Sequence, residues 1–404
     1  MTFTLKRSGC ARSLFWQNRS GMKVLLISNY PPDKQQSMLR YARFLQNELQ
    51  SRGVLAEIVY PPVVLGRLRF LPRIFEKWIG YVDKYLIAPA YLFKRAMKAD
   101  VVHVCDHSNA MYLRWAAKRP ALITCHDTIA IFAARGSYPG VRIGITGRIQ
   151  QHWIATNLVR ARRIVCVSAN TQDDLERLEP GIRSRTTVIR HHLNWRYSPA
   201  LPDGIALAKR NCALEPQTEY LLHVGGNQWY KNRIGTMQIF SALRRYERFR
   251  RVKLVMAGKP WTTDMRNYRI SSGLMNEIIE RIDVSNEELC ALYSGAIALL
   301  FPSLEEGFGW PILEAQACGC PVITSNRAPM TEIAGGGAIF IDATAPEQAA
   351  RTIAENASLL QSLRIAGFGN LDRFSKSAMI ESYQELYEFL EGERAQVTRE
   401  ILTS

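Results

Sequence analysis

Short apolar runs alternate with amphipathic stretches along most of the chain. Runs such as Lys23 to Asn29 and Ala296 to Phe301 are typical of buried strands in a parallel sheet. Turns with glycine, proline or polar residues follow, and then segments with helical spacing. This order of elements predicts an α/β protein with parallel sheets. The pattern lapses from Trp195 to about Pro216, where prolines cluster, and the 404 residues are long for one core. Two domains joined by a linker are therefore expected.

One stretch carries most of the chemistry that the sequence suggests. Pro302 ends the strand predicted from Ala296 to Phe301, and Gly307 and Gly309 provide a loop that can approach a ligand closely. Pro311 suits the first turn of a helix, where its missing N–H costs nothing. The amides of such a loop and the N-terminus of the following helix form an anion site.

Two carboxylates frame this predicted anion site. Glu306 lies in the loop, within reach of the polar end of a ligand. Glu314 lies about one turn inside the helix, where it could accept hydrogen bonds from a diol such as a ribose. The alternative is an ordinary βα turn with two solvated glutamates.

Glu306 and Glu314, set in EGFGWPILEAQACGCPVITSN, resemble the donor-site motif of retaining glycosyltransferases with the GT-B fold, specifically family 4 (glycosyl transferases group 1). The resemblance extends more loosely from about Lys23 to about Leu390. It implies two Rossmann-like domains with parallel sheets facing across a cleft. The expected organisation is a disordered leader (1–21), an acceptor domain (22–195), a linker (196–217), a nucleotide-sugar domain (218–376) and a C-terminal helix crossing back to the first domain (377–404).

The same resemblance implies an activity: transfer of a hexosyl unit from a nucleotide sugar to a saccharide or lipid-linked acceptor, with retention of anomeric configuration, in cell-surface polysaccharide synthesis. Lys231 follows a second glycine turn and is expected to contact the donor's diphosphate as a catalytic cation beside Glu306. The arginine usual a few residues earlier is missing, and Arg233 is a conceivable substitute. The other donor contacts expected are Glu314, Gly307, Phe308, Gly309, Gly226, Asn227, Arg281, Ile282 and Ser303.

On the acceptor side, His126 and Asp127 end a predicted strand, and ligands in such sheets bind beyond the carboxyl ends of strands. A satisfied structural pair is the alternative. The resemblance implies that His126 approaches the sugar or acceptor and is catalytic. Gln36 and Ser37 lie in the predicted loop before a helix that starts at about Met38, and they are expected beside Asp127 on the acceptor side. A pair of histidines, His191 and His192, replaces the usual Asn-Gly pair.

No metal is expected, because a lysine and a helix dipole can stabilise the departing diphosphate and no Asp-x-Asp pair stands at the site. No cofactor is expected either, the nucleotide-sugar donor being a substrate. A third ligand near His191 and His192 is not evident, which argues against a metal there.

The formal net charge of +16 suits an anionic partner. Basic and aromatic residues mix from Leu65 to Lys98, as on helices that lie on an anionic membrane, although a packed helix pair with a solvated basic face fits equally. Membrane docking in the resembled family favours the first use. Nucleic acid is an unlikely partner because no recognised binding motif occurs.

Met1 to Gly21 lacks the apolar core of a secretory signal, and no run is long enough for a membrane span. The eight cysteines are scattered, mostly in apolar runs, which suits a reducing compartment. A cytoplasmic protein, peripheral on the inner face of the membrane, is expected. Two other functions remain open: a catalytically degenerate GT-B scaffold that binds an anionic membrane, and a nucleotide-sugar epimerase.

Overall fold

The computed structural model describes residues 21–33, 35–67, 79–116 and 119–403. The predicted leader lies outside these residues, apart from Gly21, and so does the middle of the basic and aromatic stretch, residues 68–78.

Two parallel sheets of six strands form the frame, which confirms the α/β class. The first sheet has the order β2-β1-β3-β4-β5-β6 and contains β1 (Lys23–Ile27), β2 (Leu55–Val59), β3 (Val101–Val104), β4 (Ala121–Cys125), β5 (Ile164–Cys166) and β6 (Thr186–Val188). The second has the order β12-β11-β10-β7-β8-β9 and contains β7 (Tyr220–Gly225), β8 (Lys253–Gly258), β9 (Ile278–Ile282), β10 (Ala298–Phe301), β11 (Val322–Ser325) and β12 (Ala338–Ile341).

Helices connect the strands, as parallel pairing requires. The α-helices are α1 (Gln36–Gln50), α2 (Ala88–Ala96), α3 (Ile129–Ala134), α4 (Ile145–Leu158), α5 (Ala169–Leu178), α6 (Pro202–Asn211), α7 (Arg233–Leu243), α8 (Thr263–Ser271), α9 (Asn286–Gly295), α10 (Trp310–Ala317), α11 (Met330–Ala334), α12 (Pro346–Glu355), α13 (Leu360–Asn370) and α14 (Lys376–Thr403). A π-helical turn, Asp83–Ile87, leads into α2.

By its internal contacts the chain falls into two compact units. The first comprises the described residues of Met1–Thr124, Arg160–Arg163 and Ile380–Ser404, and the second comprises Cys125–Val159 and Ile164–Met379. The domain boundaries expected at residues 195, 217 and 376 stay predictions.

In the first unit, the C-terminal helix packs on the sheet through polar aromatic contacts. The hydroxyl groups of Tyr383 and Tyr41 share a hydrogen bond, and that of Tyr387 lies 2.8 Å from Nδ1 of His103 on β3. All four side chains are buried. Residues from Ile380 onward therefore complete the core of the unit that holds the beginning of the chain.

In the second unit, alternate residues of the central strands point to opposite faces of the sheet. Leu222 and Phe301 belong to one buried cluster, and Leu221 and Leu300 belong to another. Helices thus cover both faces, which explains why these strands are mostly apolar.

One predicted boundary was wrong in a way that affects the expected site. The helix expected from Met38 begins at Gln36, so Gln36 and Ser37 lie in its first turn and not in the preceding loop. Neither residue is proline or glycine, and both tolerate a helical first turn, so nothing in the local sequence delays the start of the helix.

Candidate active site

The site lies at the carboxyl ends of β7 and β10. The order in which the chain adds strands to the second sheet reverses between these two neighbours. Ligands bind α/β sheets outside such a point. Two loops cover it, residues 226–232 after β7 and residues 302–309 after β10.

Backbone and side-chain bonds tie the two loops together. The amide of Leu304 donates to the carbonyl oxygen of Tyr230 at 2.7 Å. Asn232, in a left-handed conformation (φ 51°), donates through Nδ2 to the carbonyl oxygens of Pro302 (3.0 Å) and Ala343 (3.1 Å). The loop after β7 and the loop after β10 are therefore fixed against each other.

An ion pair joins the two loops at the centre of the site. Nζ of Lys231 lies 2.7 Å and 2.9 Å from the two carboxylate oxygens of Glu306. The exposed fractions of the two side chains are 17% and 8%, so water screens the pair little. Nζ also lies over the rings of Tyr230 and Phe301, at 5.6 Å and 5.4 Å from their centres.

Gly307 packs its backbone against the backbone of His126. A methyl group at Gly307 would overlap the carbonyl oxygen of His126 and lie 2.7 Å from Cβ of Asp127. The residue after β4 and the loop after β10 thus touch directly, and Glu306 precedes the point of contact. Only glycine permits so close an approach.

Two hydroxyl groups hold Gly307 from the other side. Its carbonyl oxygen accepts hydrogen bonds from Oγ of Ser168 at 2.8 Å and from Oγ1 of Thr171 at 3.3 Å. Ser168 is the N-cap of α5, where its Oγ accepts from the amide of Thr171. Its bond to Gly307, 139 residues away, had no signal in the sequence.

His126 is paired with a second histidine. Nδ1 of His126 lies 3.1 Å from Nε2 of His191, and the two rings stack with centres 5.1 Å apart. Both side chains are buried. Burial lowers the pKa of His191 well below its ordinary value, and the neighbouring His126 lowers it further. In the sequence, His191 stood out as a departure from the family pattern and as one of a histidine pair without a third metal ligand, and nothing there indicated a partnership with His126.

The glycine loop then feeds α10. Gly309 takes a left-handed conformation (φ 102°) as the N-cap, and Pro311 stands in the first turn as expected. The amides of Gly307, Phe308 and Gly309 precede the positive end of the helix dipole. Phe308 itself is buried.

Glu314 lies inside α10 and is also buried. The hydroxyl group of Tyr293 donates to its Oε2 at 2.9 Å. Burial raises the pKa of Tyr293 well above its ordinary value, and the charge of Glu314 raises it further, so the phenol stays a donor. This bond orients the carboxylate that was predicted to hold a ribose.

The other predicted donor contacts also belong to the second unit. Ser303 is fully buried and accepts from Oγ of Ser325 through its carbonyl oxygen at 2.6 Å. Asn227 follows Gly226 and donates through Nδ2 to the carbonyl oxygen of Pro260 at 2.7 Å. Arg281 and Ile282 end β9, where Arg281 pairs with Glu288 at 2.6 Å and Ile282 is 44% exposed.

Arg233, the conceivable substitute for the missing arginine, is buried at the start of α7. Its Nη1 donates to Oδ1 of Asn227 and, at 2.8 Å, to the carbonyl oxygen of Lys259. Its Nε and Nη2 are shielded from solvent and have no hydrogen-bond partner among the described residues. Arg233 therefore ties the loop after β7 to the loop after β8.

The predicted acceptor residues are divided between the units. Asp127 belongs to the second unit, where its Oδ1 accepts from the amide of Ile129 at 3.1 Å and so supports the start of α3. Gln36 and Ser37 belong to the first unit, and Ser37 is exposed.

A buried polar cluster that sequence analysis missed lies in the first unit, beyond the ends of β1 and β3. Nδ2 of Asn29 donates to Asp106 and to Gln35. Oγ of Ser108 donates to Asp106 at 2.8 Å. A side-chain amide two residues after a strand was the available signal, since ligand contacts concentrate at such ends.

Within the described ranges, no three His, Cys, Asp or Glu side chains converge as metal ligands would. In the same part of the chain, no helix combines the length and apolar character that crossing a bilayer requires.

Two family models match the chain. Residues 23–193 match Glycosyltransferase Family 4, and residues 208–360 match Glycosyl transferases group 1. Among curated proteins, O-antigen chain mannosyltransferase B of Escherichia coli is 28% identical over 237 residues, which cover 58% of this chain and 60% of the relative. O-antigen chain mannosyltransferase RfbU of Salmonella typhimurium is 45% identical over 60 residues, which cover 15% of this chain and 17% of that protein. The chain thus spans less than two thirds of the length of these relatives.

Solved structures share the fold at low identity. Sucrose-phosphate synthase from Thermosynechococcus elongatus superposes with a TM-score of 0.70 at 18% identity, covering 92% of this chain and 100% of that one. HepE from Anabaena, in complex with UDP and glucose, superposes with a TM-score of 0.68 at 14% identity, covering 91% and 100%. This shared architecture shows that the chain has the GT-B fold, and the two glycosyltransferase family models together match most of its length.

Proposed function

We propose that the protein transfers a hexosyl unit from a nucleotide sugar to a saccharide or lipid-linked acceptor, with retention of configuration, as a family 4 glycosyltransferase of cell-surface polysaccharide synthesis. The observation that carries this proposal is the part-buried Lys231–Glu306 pair, in which Glu306 belongs to the loop that packs against His126 and leads into α10. A cation, a carboxylate and oriented amides at one point suit a reaction that separates charge.

The positive and negative groups of the site stabilise opposite charges in the transition state. As the bond from the anomeric carbon to the diphosphate oxygen breaks, the electron pair leaves with the diphosphate. Lys231 and the amides of Gly307, Phe308 and Gly309 stabilise that negative charge. Glu306 faces the sugar, where its carboxylate favours the positive charge that builds at the anomeric carbon.

Attack by the acceptor completes the balance. The acceptor hydroxyl oxygen forms the new bond on the face that the diphosphate leaves, and its proton passes to the departing phosphate oxygen. This route retains configuration without a covalent intermediate on the protein. Glu314, oriented by Tyr293, holds the ribose of the nucleotide. Arg281 and Ile282 contact the base.

No metal is needed in this proposal, because Lys231 and the helix dipole supply the positive charge. The relatives named as mannosyltransferases favour a mannosyl donor, and HepE, solved with UDP and glucose, makes a UDP-sugar the first competitor to test. The acceptor would be a growing O-antigen-like chain. Docking on an anionic membrane through residues 65–98 would bring a lipid-linked acceptor close, in keeping with the net charge of +16.

The test combines donor binding with turnover. Thermal melting is followed with GDP-, UDP-, ADP- and dTDP-sugars in the presence of EDTA, and a ligand in hundredfold excess over its Kd should stabilise by about 2.7 kcal/mol. Transfer is then measured with the donor that binds. Glu306→Gln and Lys231→Met should each lower kcat at least about a hundredfold, as the loss of an electrostatic group does.

The neighbouring Glu305 provides the matched control. It is partly exposed and 3.9 Å from Arg327, outside the ion pair, so Glu305→Gln should keep turnover near wild type. The double variant Glu306→Gln/Lys231→Met removes both charges, so it should recover melting temperature but not activity.

Near-normal turnover in both single variants would contradict the proposal. Donor binding without any transfer would favour the degenerate scaffold, and interconversion of the donor without an acceptor would favour an epimerase.

A further inference from the structure

The second histidine of the site has no part in the charge separation described above. His191 is buried, and its ring lies nearly parallel to that of His126, with the centres 5.1 Å apart and the planes 16° apart. It also stacks on Trp310, with ring centres 4.7 Å apart, and meets the edge of Phe308 at 5.2 Å. Phe308 and Trp310 flank Gly309, so the glycine loop holds His191 against His126.

When both imidazoles are neutral, the hydrogen bond that they share constrains the position of each proton. A neutral imidazole carries one N–H, and the contact between Nδ1 of His126 and Nε2 of His191 needs one donor and one acceptor. If Nε2 of His191 donates, the one ring proton of His126 must be on its own Nε2. If Nδ1 of His126 donates, Nε2 of His126 carries no proton. The tautomer of His191 therefore decides whether Nε2 of His126 is a donor or an acceptor.

Burial preserves this constraint on the proton positions of His126 and His191. His191 is 1% exposed and His126 is 7% exposed, so water does not compete readily for the shared bond. The backbone of Gly307, packed on the carbonyl oxygen of His126, limits movement of the second partner. The ring of His126 is thus fixed through its backbone and through Nδ1.

We infer that His191 is a positioning residue, which fixes the orientation and tautomer of His126 through the bond between Nε2 and Nδ1. The inference rests on the proposed function, and it takes His126, which the resemblance places against the sugar or acceptor, to bond a substrate hydroxyl group through Nε2. A preorganised hydrogen bond of this kind raises kcat more than it lowers KM, because its partner is placed best in the transition state.

Two substitutions separate the hydrogen bond from the packing. His191→Phe keeps an aromatic ring between His126 and Trp310 but has no nitrogen. His191→Gln places an amide near the position of Nε2 but loses the ring. Positioning predicts that kcat falls about tenfold to a hundredfold in the phenylalanine variant, with KM for the donor within about threefold of wild type. The glutamine variant should melt at a lower temperature yet keep more of kcat.

A spectroscopic readout tests the inference without turnover. The chain has seven histidines, so ¹⁵N-histidine labelling gives few imidazole signals, and His126→Asn assigns one of them. His126 should show a single tautomer in the wild type and a mixture of both in His191→Phe. The neighbouring His192→Gln, as the matched control, should remove only its own imidazole signal and leave the tautomer of His126 and kcat unchanged.

Higher kcat in His191→Phe than in His191→Gln, or a tautomer of His126 that does not respond to His191→Phe, would overturn the inference. A wild-type protein that transfers no sugar would refute the proposed function instead, and the tautomer measurement would still decide the role of His191.

Discussion

At the scale of single residues, the site depends on groups that fit only in one place. Gly307 is the sharpest case, because its α-carbon faces the carbonyl oxygen of His126 with no room for a methyl group. The missing side chain of Gly307 therefore sets how closely Glu306, which precedes it, approaches His126, which packs against it.

Gly307→Ala should force the loop away from His126. Overpacking of this kind costs about 1–3 kcal/mol, and the separation of Glu306 from His126 should abolish most turnover. The melting temperature and kcat are the measurements. Gly336→Ala is the control, because an added methyl group there meets nothing within 4 Å. Equal behaviour of the two variants would show that the loop adapts freely.

At the scale of elements, Ser168 both caps α5 and bonds the glycine loop of the site. Oγ of Ser168 accepts from the amide of Thr171 at 3.1 Å and donates to the carbonyl oxygen of Gly307 at 2.8 Å. Ser285 caps α9 in the same way, accepting from the amide of Glu288 at 3.1 Å, but it is not part of the site.

The two caps allow a matched comparison. Ser168→Ala and Ser285→Ala should each lower the free energy of unfolding by about 1 kcal/mol through the lost cap. Only Ser168→Ala also removes the shorter of the two hydrogen bonds to the carbonyl oxygen of Gly307, so only that variant should lose kcat, by about tenfold. A comparable loss of kcat in Ser285→Ala would mean that general loosening, and not the bond to Gly307, is responsible.

At the scale of the whole molecule, buried histidines make stability depend on pH. His223 on β7 is fully buried, with Nδ1 3.0 Å from the carbonyl oxygen of Leu300. Burial lowers its pKa from the ordinary value of 6.5 to about 3. Between these values the unfolded chain binds a proton that the folded chain refuses, so stability falls as the pH drops through this window.

One proton corresponds to about 1.4 kcal/mol for each pH unit. His223→Asn keeps a donor near Leu300 but removes the titration, so its melting temperature should fall less than that of the wild type between about pH 6.5 and pH 4.5. His152→Asn, which removes an exposed histidine, should follow the wild type. If the melting temperatures of all three proteins fall equally as the pH drops, His223 does not cause the pH dependence of stability.

Much of the architecture was accessible from the sequence, since apolar strands and helical stretches of fixed period are local properties. The run Ala296 to Phe301 and the glycines after it predicted the strand, loop and helix that the structure contains. The N-caps Ser168 and Ser285 are local features as well, since each bonds an amide three residues along the chain. The start of α1 was misplaced by two residues because helix propensity changes little between Gln36 and Met38.

The sequence by itself determined the α/β class, the glycine loops and the residue types available for chemistry. Only the tertiary structure decided which of them meet: Lys231 and Glu306 across 75 residues, His126 and His191 across 65, and Ser168 and Gly307 across 139. The physical reason is that local periodicity specifies elements, whereas contacts between loops depend on how strands are ordered in the sheets and how closely the backbones approach. His191 shows the difference best, because its role follows from a partner that no local pattern reveals.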